Sequence, residues 1–356
     1  MYEVESKALG TAINRCLGVI ALGDKAESNS ITLTFSKKGL TVEANNSVAQ
    51  YKTEIPVEVK KAVKIRAHIL PELLLAYSGA HKKLTLIPTE QHLTVKGGKS
   101  FSADMYFVGN NESIEMNTPE DATDISDIAA ASGQCLALVG GIRNRTDSQV
   151  LGVKLEWHDK SLELTVGDTH HAVIIDHTLK SKSKGDITMT LPNLQKIMAV
   201  GKNFASEESR IYAWSDIEYL SIMGQSENVF LANSARSVMQ SKKKTKAVVE
   251  TKAFESVIDT LVTAVDESSP INLKIGSKGI IANVKTGASN AKGSVKVQKF
   301  AGKEAVIAVS IHHLKDCLST MREKTMAISV FSNMVSLESS NKTTKVMAAM
   351  SSVGVK

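Results

Sequence analysis

Ile31-Thr-Leu-Thr-Phe-Ser-Lys-Lys-Gly-Leu-Thr-Val42, Val153-Lys-Leu-Glu-Trp-His-Asp-Lys-Ser-Leu-Glu-Leu164 and Ile271-Asn-Leu-Lys-Ile-Gly-Ser-Lys-Gly-Ile-Ile-Ala282 are three versions of one phrase. Leu40, Leu162 and Ile280 mark the same place in each, about 122 and 118 residues apart. A period this long is a domain-sized unit, well above the roughly 20–50 residues of a solenoid repeat. Alternating apolar and polar residues predict half-buried strands. Ser36-Lys-Lys-Gly, His158-Asp-Lys-Ser and Gly276-Ser-Lys-Gly predict the hairpin turns between them.

Helical patterns lie on either side of each phrase. From Lys7 to Ile20, Ala8, Leu9, Ala12, Ile13, Cys16, Leu17 and Ile20 recur at spacings of three and four, which makes one apolar stripe on a helix. Ile125 to Val139 and Ala253 to Val265 repeat that pattern. A second helix opens at Ile69-Leu-Pro-Glu-Leu-Leu, Thr190-Leu-Pro-Asn-Leu-Gln and Ser310-Ile-His-His-Leu-Lys. Leu70, Leu191 and Ile311 align there, as do Leu73, Leu194 and Leu314. Pro71 and Pro192 suit a first helical turn, where no amide donor is lost. A closing strand pair ends each repeat. The order helix, strands, helix, strands predicts an α+β fold, with domains at residues 1–117, 118–243 and 244–356.

Composition narrows the function. The chain has 356 residues, 42% hydrophobic and 22% charged, which is ordinary for a globular protein. No apolar run approaches the ~18 residues of a membrane span, and Met1-Tyr-Glu-Val-Glu-Ser-Lys lacks a signal-peptide core. A cytoplasmic protein is expected. Cys16, Cys135 and Cys317 fall one per repeat, which predicts buried thiols rather than a disulfide framework. The net charge of +6 favours a polyanionic partner.

With its repeats in register, the sequence resembles the bacterial-type DNA sliding clamp, the beta subunit that makes the replicative polymerase processive. Leu40-Thr-Val-Glu-Ala, Tyr51-Lys-Thr-Glu-Ile-Pro, the helix-opening Leu-Pro phrases, Thr165-Val-Gly-Asp-Thr-His-His-Ala-Val and Val346-Met-Ala-Ala-Met carry the resemblance. It covers essentially the whole chain. It implies three domains of the clamp fold, and two chains joined head to tail around duplex DNA. Helices would line the hole and sheets would form the outer shell. It implies no catalysis, no cofactor and no metal, and an association with the nucleoid. Family chains are usually acidic, so the basic balance here points to tighter DNA contact or to a divergent lineage such as a viral clamp.

A ring that slides needs weak attraction to phosphates and no base readout. The resemblance therefore assigns DNA contact to Lys25, Arg143, Arg145, Lys196, Lys202, Lys315 and Arg322. Lys315, Ser319 and Arg322 follow helical spacing opposite Leu314, Cys317, Leu318 and Met321. Glu255 and Asp259 on the neighbouring helix would repel DNA unless they face elsewhere. The resemblance also implies a pocket for short peptides of polymerases and the clamp loader, formed by Val150, Leu151, Thr169, His170, His171, Met239, Val346, Met347 and Met350. Methionines suit a pocket with several partners because they repack cheaply. His171 stands where the family usually has arginine, and the chain runs on past Met350. The dimer interface would join the region of Phe101 to that of Val265, beside Asp266, where an apolar residue is expected.

Two other readings remain open from the residues alone: a nucleic-acid-processing enzyme using Asp266-Glu267 with a divalent ion, and a non-ring DNA-binding scaffold. Gly97-Gly98-Lys99-Ser100 lacks the first glycine of a phosphate loop and reads as a turn. His170-His171 and His312-His313 are poor chelates, because neighbours on a strand point to opposite faces.

Overall fold

The computed structural model describes residues 1–22, 30–108, 122–139, 152–167, 170–224, 243–263, 265, 269–286 and 290–353. The chain begins β1 (Tyr2–Glu5), α1 (Ser6–Ile20), β2 (Ile31–Ser36), β3 (Gly39–Asn45), β4 (Ala49–Ile55), β5 (Val57–Val59), β6 (Ile65–Ile69), α2 (Pro71–Ala80), β7 (Lys83–Pro88), β8 (His92–Gly97) and β9 (Phe101–Tyr106). Its middle holds β10 (Thr123–Asp124), α3 (Ser126–Val139), β11 (Gly152–Gly167), β12 (His171–Thr190), α4 (Leu191–Val200), β13 (Asn203–Glu207), β14 (Arg210–Trp214) and β15 (Glu218–Met223). It ends with β16 (Thr245–Glu250), α5 (Thr251–Val262), β17 (Pro270–Ile275), β18 (Ile280–Lys285), β19 (Asn290–Val295), β20 (Val297–Gly302), β21 (Ala305–Ser310), α6 (Ile311–Leu318), β22 (Thr325–Val330), β23 (Met334–Ser340) and β24 (Thr344–Ser351). The first and last sections have the same order of strands and helices. The turns predicted in the first and third phrases occupy their places, between β2 and β3 and between β17 and β18, and Gly39 and Gly98 take positive φ; in the second phrase Asp159 takes a φ of 53° inside the single strand β11, where its register against β12 shifts.

By contact the chain forms two compact units. One contains Met1–Ser126 and Lys196–Gly224. Its sheets run β5-β1-β7-β8-β9 and β10-β13-β14-β15-β4-β3-β2-β6. The longer sheet is continuous because β15 pairs antiparallel with β4, Leu220 opposite Tyr51. The other unit contains Asp127–Gln195 and Gln225–Lys356. Its sheets run β11-β12-β24-β23-β22-β16-β20 and β19-β18-β17-β21. There β12 pairs with β24, Ile174 opposite Met347. Strands of the middle section thus complete a sheet begun by each of the others, and the contact division falls inside that section.

Helices pack on the sheets through the predicted stripes. Leu9, Ala12, Ile13 and Cys16 of α1 are buried, as are Ile128 and Cys135 of α3 and Phe254, Ile258 and Leu261 of α5. Fully burying such a side chain is worth about 1.5–3 kcal/mol. Gly10 lets α1 approach α2, since a Cβ there would stand 3.1 Å from Ser78 Oγ. All three cysteines are free and buried. Burial raises the thiol of Cys16 well above its usual range and pushes that of Cys135 up to about 12, so they act as small apolar groups.

The structure corrects the alignment of the second helices. They start at Pro71, Leu191 and Ile311. Leu74, Leu194 and Leu314 are the equivalent buried residues, whereas Leu73 is 47% exposed. The first repeat is therefore shifted by one residue, and Leu70 sits at the N-cap. The equivalent residues of the other repeats carry hydroxyls: Thr190 Oγ1 accepts from Asn193 N at 3.3 Å, and Ser310 Oγ from His313 N at 3.4 Å. Leu70 provides no such cap and is 40% exposed. Leu70→Ser is expected to stabilise the protein by about 0.5–2 kcal/mol. A urea midpoint that does not rise would show that the α2 terminus is already satisfied.

Candidate nucleic-acid and partner interfaces

The predicted DNA-facing cations separate into three groups. Lys25, Arg143 and Arg145 lie outside the described residues. Lys202 follows α4 and is exposed. Arg322 is also exposed, but the helical spacing read for it does not hold: α6 ends at Leu318, Ser319 caps it, and Arg322 lies in the turn beyond. The break comes where Ser319 Oγ and Thr320 Oγ1 turn back onto the carbonyls of Asp316 and Cys317, at 2.6 and 2.7 Å.

Two further cations are engaged. Lys196 Nζ donates to the carbonyl of Gly18 at 3.2 Å, near the end of α1. No basic residue lies in the last turn of α1, so Lys196 brings a positive charge to the negative end of that helix dipole. Burial lowers its pKa from the usual lysine value. Lys315 Nζ lies 3.0 Å from Asp259 Oδ1 of α5. Both are about half exposed, so the pair is worth about 0.2–1 kcal/mol. Lys252 pairs in the same way with Glu255 at 3.1 Å. The acids of α5 are thus neutralised locally rather than turned away.

Sequence reasoning passed over a cation on α1. Lys7, Thr11 and Asn14 form the exposed stripe of that helix, and Lys7 is the cation on it. Its periodicity opposite the core stripe was the available signal. Arg15 is engaged in an ion pair with Glu218 of β15. Tyr51 donates to the same carboxylate at 3.0 Å.

Of the predicted peptide pocket, Val150, Leu151, Thr169 and Met239 lie outside the described residues. His171 pairs in register with Met350, and Ile175 with Val346. Alternation along β12 and β24 puts His171, Val346 and Met350 on one face and Met347 on the other. Val346 and Met350 are buried, and Met347 is half-buried. Ala349, on the Met347 face, packs with Phe331 and Met334.

His170 precedes β12 and is exposed, whereas His171 begins the strand and is buried. Both rings stack on His313 of α6, with centroids 5.7 and 4.9 Å away and planes within 18° and 15°. The rule that strand neighbours point apart fails here because His170 is not in the strand. No sequence signal announces this stack, since it depends on α6 packing against β12. Among the described residues, no group of three or more His, Cys, Asp or Glu side chains is arranged to hold a metal.

Phe101 opens β9, at one edge of its sheet, and its ring packs against Tyr77 and His81 at 4.9 and 5.0 Å. Val265 lies just beyond α5 and is half-buried. Asp266 lies outside the described residues. No described helix is long and apolar enough to cross a membrane.

No family model matches the sequence, and no curated protein matches it. Solved structures do match. The DNA polymerase sliding clamp of Bacillus subtilis is 13% identical with a TM-score of 0.79, covering 100% of this chain and 99% of that one. The DNA polymerase III subunit beta of Pseudomonas aeruginosa is 11% identical with a TM-score of 0.78, covering 100% of both chains. The beta clamp of H. pylori, solved in complex with 5-chloroisatin, is 15% identical with a TM-score of 0.73 over 100% of both. The two charged acids on α5 and the shifted α2 are accommodated within one architecture: this chain has the fold of the bacterial DNA polymerase III beta sliding clamps.

Proposed function

We propose that this protein is a DNA sliding clamp, a non-catalytic processivity factor that encircles duplex DNA and tethers a polymerase. The observation that carries this reading is the end-to-end likeness to clamps in both directions of coverage. A partial match would leave room for a different domain with a different task. The chain is read as three domains, residues 1–117, 118–243 and 244–356, and as acting on DNA in the cytoplasm.

The ring is a homodimer in this proposal. β9 and β19 are each an edge of their sheets, and an edge strand offers unpaired backbone groups to another chain. Asp104 on β9 and Lys292 on β19 are exposed and opposite in charge. Joining β9 of one copy to β19 of the next would close a head-to-tail ring. Phe101 and Val265 would flank that junction. Lys25, Arg143, Arg145, Lys202 and Arg322 would supply phosphate contacts, joined by Lys7. A short peptide of the polymerase or loader would dock on the surface around His170, Met347 and the predicted residues beside them.

Electron-microscopy class averages of the purified protein test this reading. A closed ring with a central hole, of the mass of two 38.3 kDa chains, is expected. A solid monomeric particle, unchanged when loader and primed circular DNA are added, would overturn it.

A further inference from the structure

The positive charge of the chain is concentrated in one place. Of its 43 basic and 37 acidic residues, seven lysines and one glutamate lie between Pro270 and Glu304. That segment carries +6, the net charge of the whole chain, and leaves 36 basic and 36 acidic residues elsewhere. It contains the four strands β17 to β20. Lys274, Lys278, Lys285, Lys292, Lys296 and Lys299 are all exposed, and among the described residues none of them is in an ion pair.

The sheet order sets their direction. Leu273, Ala282 and Gly293 lie in register across β17, β18 and β19, and a Cβ on Gly293 would collide with Val257 of α5. That face is turned to the helix. Strand alternation puts Lys274, Lys285 and Lys292 on the opposite face, with Lys292 on the β19 edge that the proposed ring junction would use, so the face rests on Lys274 and Lys285 together with the lysines at the end of the sheet. At one end of the sheet, Lys274, Lys278 and Lys296 line an open cleft of about 480 Å³ with Ser277 and Glu304. Lys274 stands opposite Ile281, Lys292 opposite Asn283 and Lys285 opposite Asn290, on strands about 4.8 Å apart, so the charges are spread across the face rather than stacked against one another.

We propose that this lysine-covered sheet face is a second binding surface for the phosphate backbone of duplex DNA, distinct from the helix-lined contacts of the ring. Uncompensated lysines in an array are complementary to a line of phosphates and release counterions on binding. Surfaces for single-stranded DNA add aromatic platforms on which bases stack. The only aromatic residue of the segment is Phe300, which is half-buried on β20. The face therefore grips backbone and reads no bases. This site would give the protein a hold on duplex outside the hole, and it requires no closed ring.

The test is fluorescence anisotropy with a short linear duplex, without loader, over a range of salt. The variant Lys274→Gln/Lys278→Gln/Lys296→Gln is compared with Lys37→Gln/Lys38→Gln/Lys64→Gln, exposed lysines of the other unit that lower net charge equally. The sheet variant is expected to bind about tenfold more weakly and to lose about 2.7 from its salt slope, at 0.9 per phosphate. The control is expected to keep most of both. Equal losses in the two variants would show an effect of net charge alone and overturn the proposal. So would tighter binding of a single-stranded oligonucleotide, or of a polyglutamate peptide, than of duplex. A failed ring in electron microscopy would leave this result interpretable, because the probe needs no encirclement.

Discussion

Reversing three cations, Arg143→Glu/Lys202→Glu/Arg322→Glu, is expected to cut processive synthesis on primed circular DNA by at least about tenfold at physiological salt. Lys202 and Arg322 are exposed, with no ion-pair partner among the described residues. Their charge is available to phosphates, and the reversal replaces attraction with repulsion. A ring of two chains doubles every change. Counterion release makes the effect salt-dependent, so the deficit should shrink as salt is raised, where the phosphate contacts of the unaltered protein weaken too. Lys315→Glu is a different case, because Lys315 is held by Asp259 at 3.0 Å. Its loss frees an acid as well as removing a base. Unchanged processivity in the triple variant, with folding intact, would remove these residues from the DNA-facing surface.

Phe254→Ala is expected to destabilise the unit that contains α5 by about 3–5 kcal/mol. Phe254 is fully buried, on a helix that packs against β16, β18, β19 and α6. Truncation removes the transfer energy of the ring and leaves a cavity that this many neighbours cannot easily close. Urea unfolding followed by a probe in that unit measures it. Thr260→Ala is the control. Thr260 is exposed, and its hydroxyl only turns back to Ser256 O at 2.9 Å, so the change should stay within about 0.5 kcal/mol. A loss below 1 kcal/mol for Phe254→Ala would mean that the α5 packing is not what holds this unit together.

Charge and fold are distributed differently along this chain. The apolar stripes of α1, α3 and α5 recur with little change, because each helix must bury a face on a sheet. The cations do not recur. Lys196 is tied to the end of α1, Lys315 to Asp259, and the net positive charge sits on one four-strand segment of the last repeat. A common scaffold thus carries surfaces that differ from repeat to repeat.

The sequence by itself determined the repeat, the α+β class, the strand–turn–strand phrases and the helix stripes. These are local signals: periods of two and about 3.6 residues, turn glycines and a first-turn proline are properties of neighbouring residues. The same local reading placed Leu73 one residue out, because both Leu73 and Leu74 fit an apolar helix opening. Only burial, on a helix that packs against α1, chooses Leu74. The tertiary structure alone decided which charges are free. An ion pair such as Arg15 with Glu218 joins residues about two hundred positions apart, and the stack of His170 and His171 on His313 depends on a helix crossing a strand. Strand pairing between β15 and β4, and between β12 and β24, likewise set the compact units apart from the repeat boundaries. Backbone hydrogen bonding across a sheet edge depends on how chain segments meet in space, and no local periodicity records it.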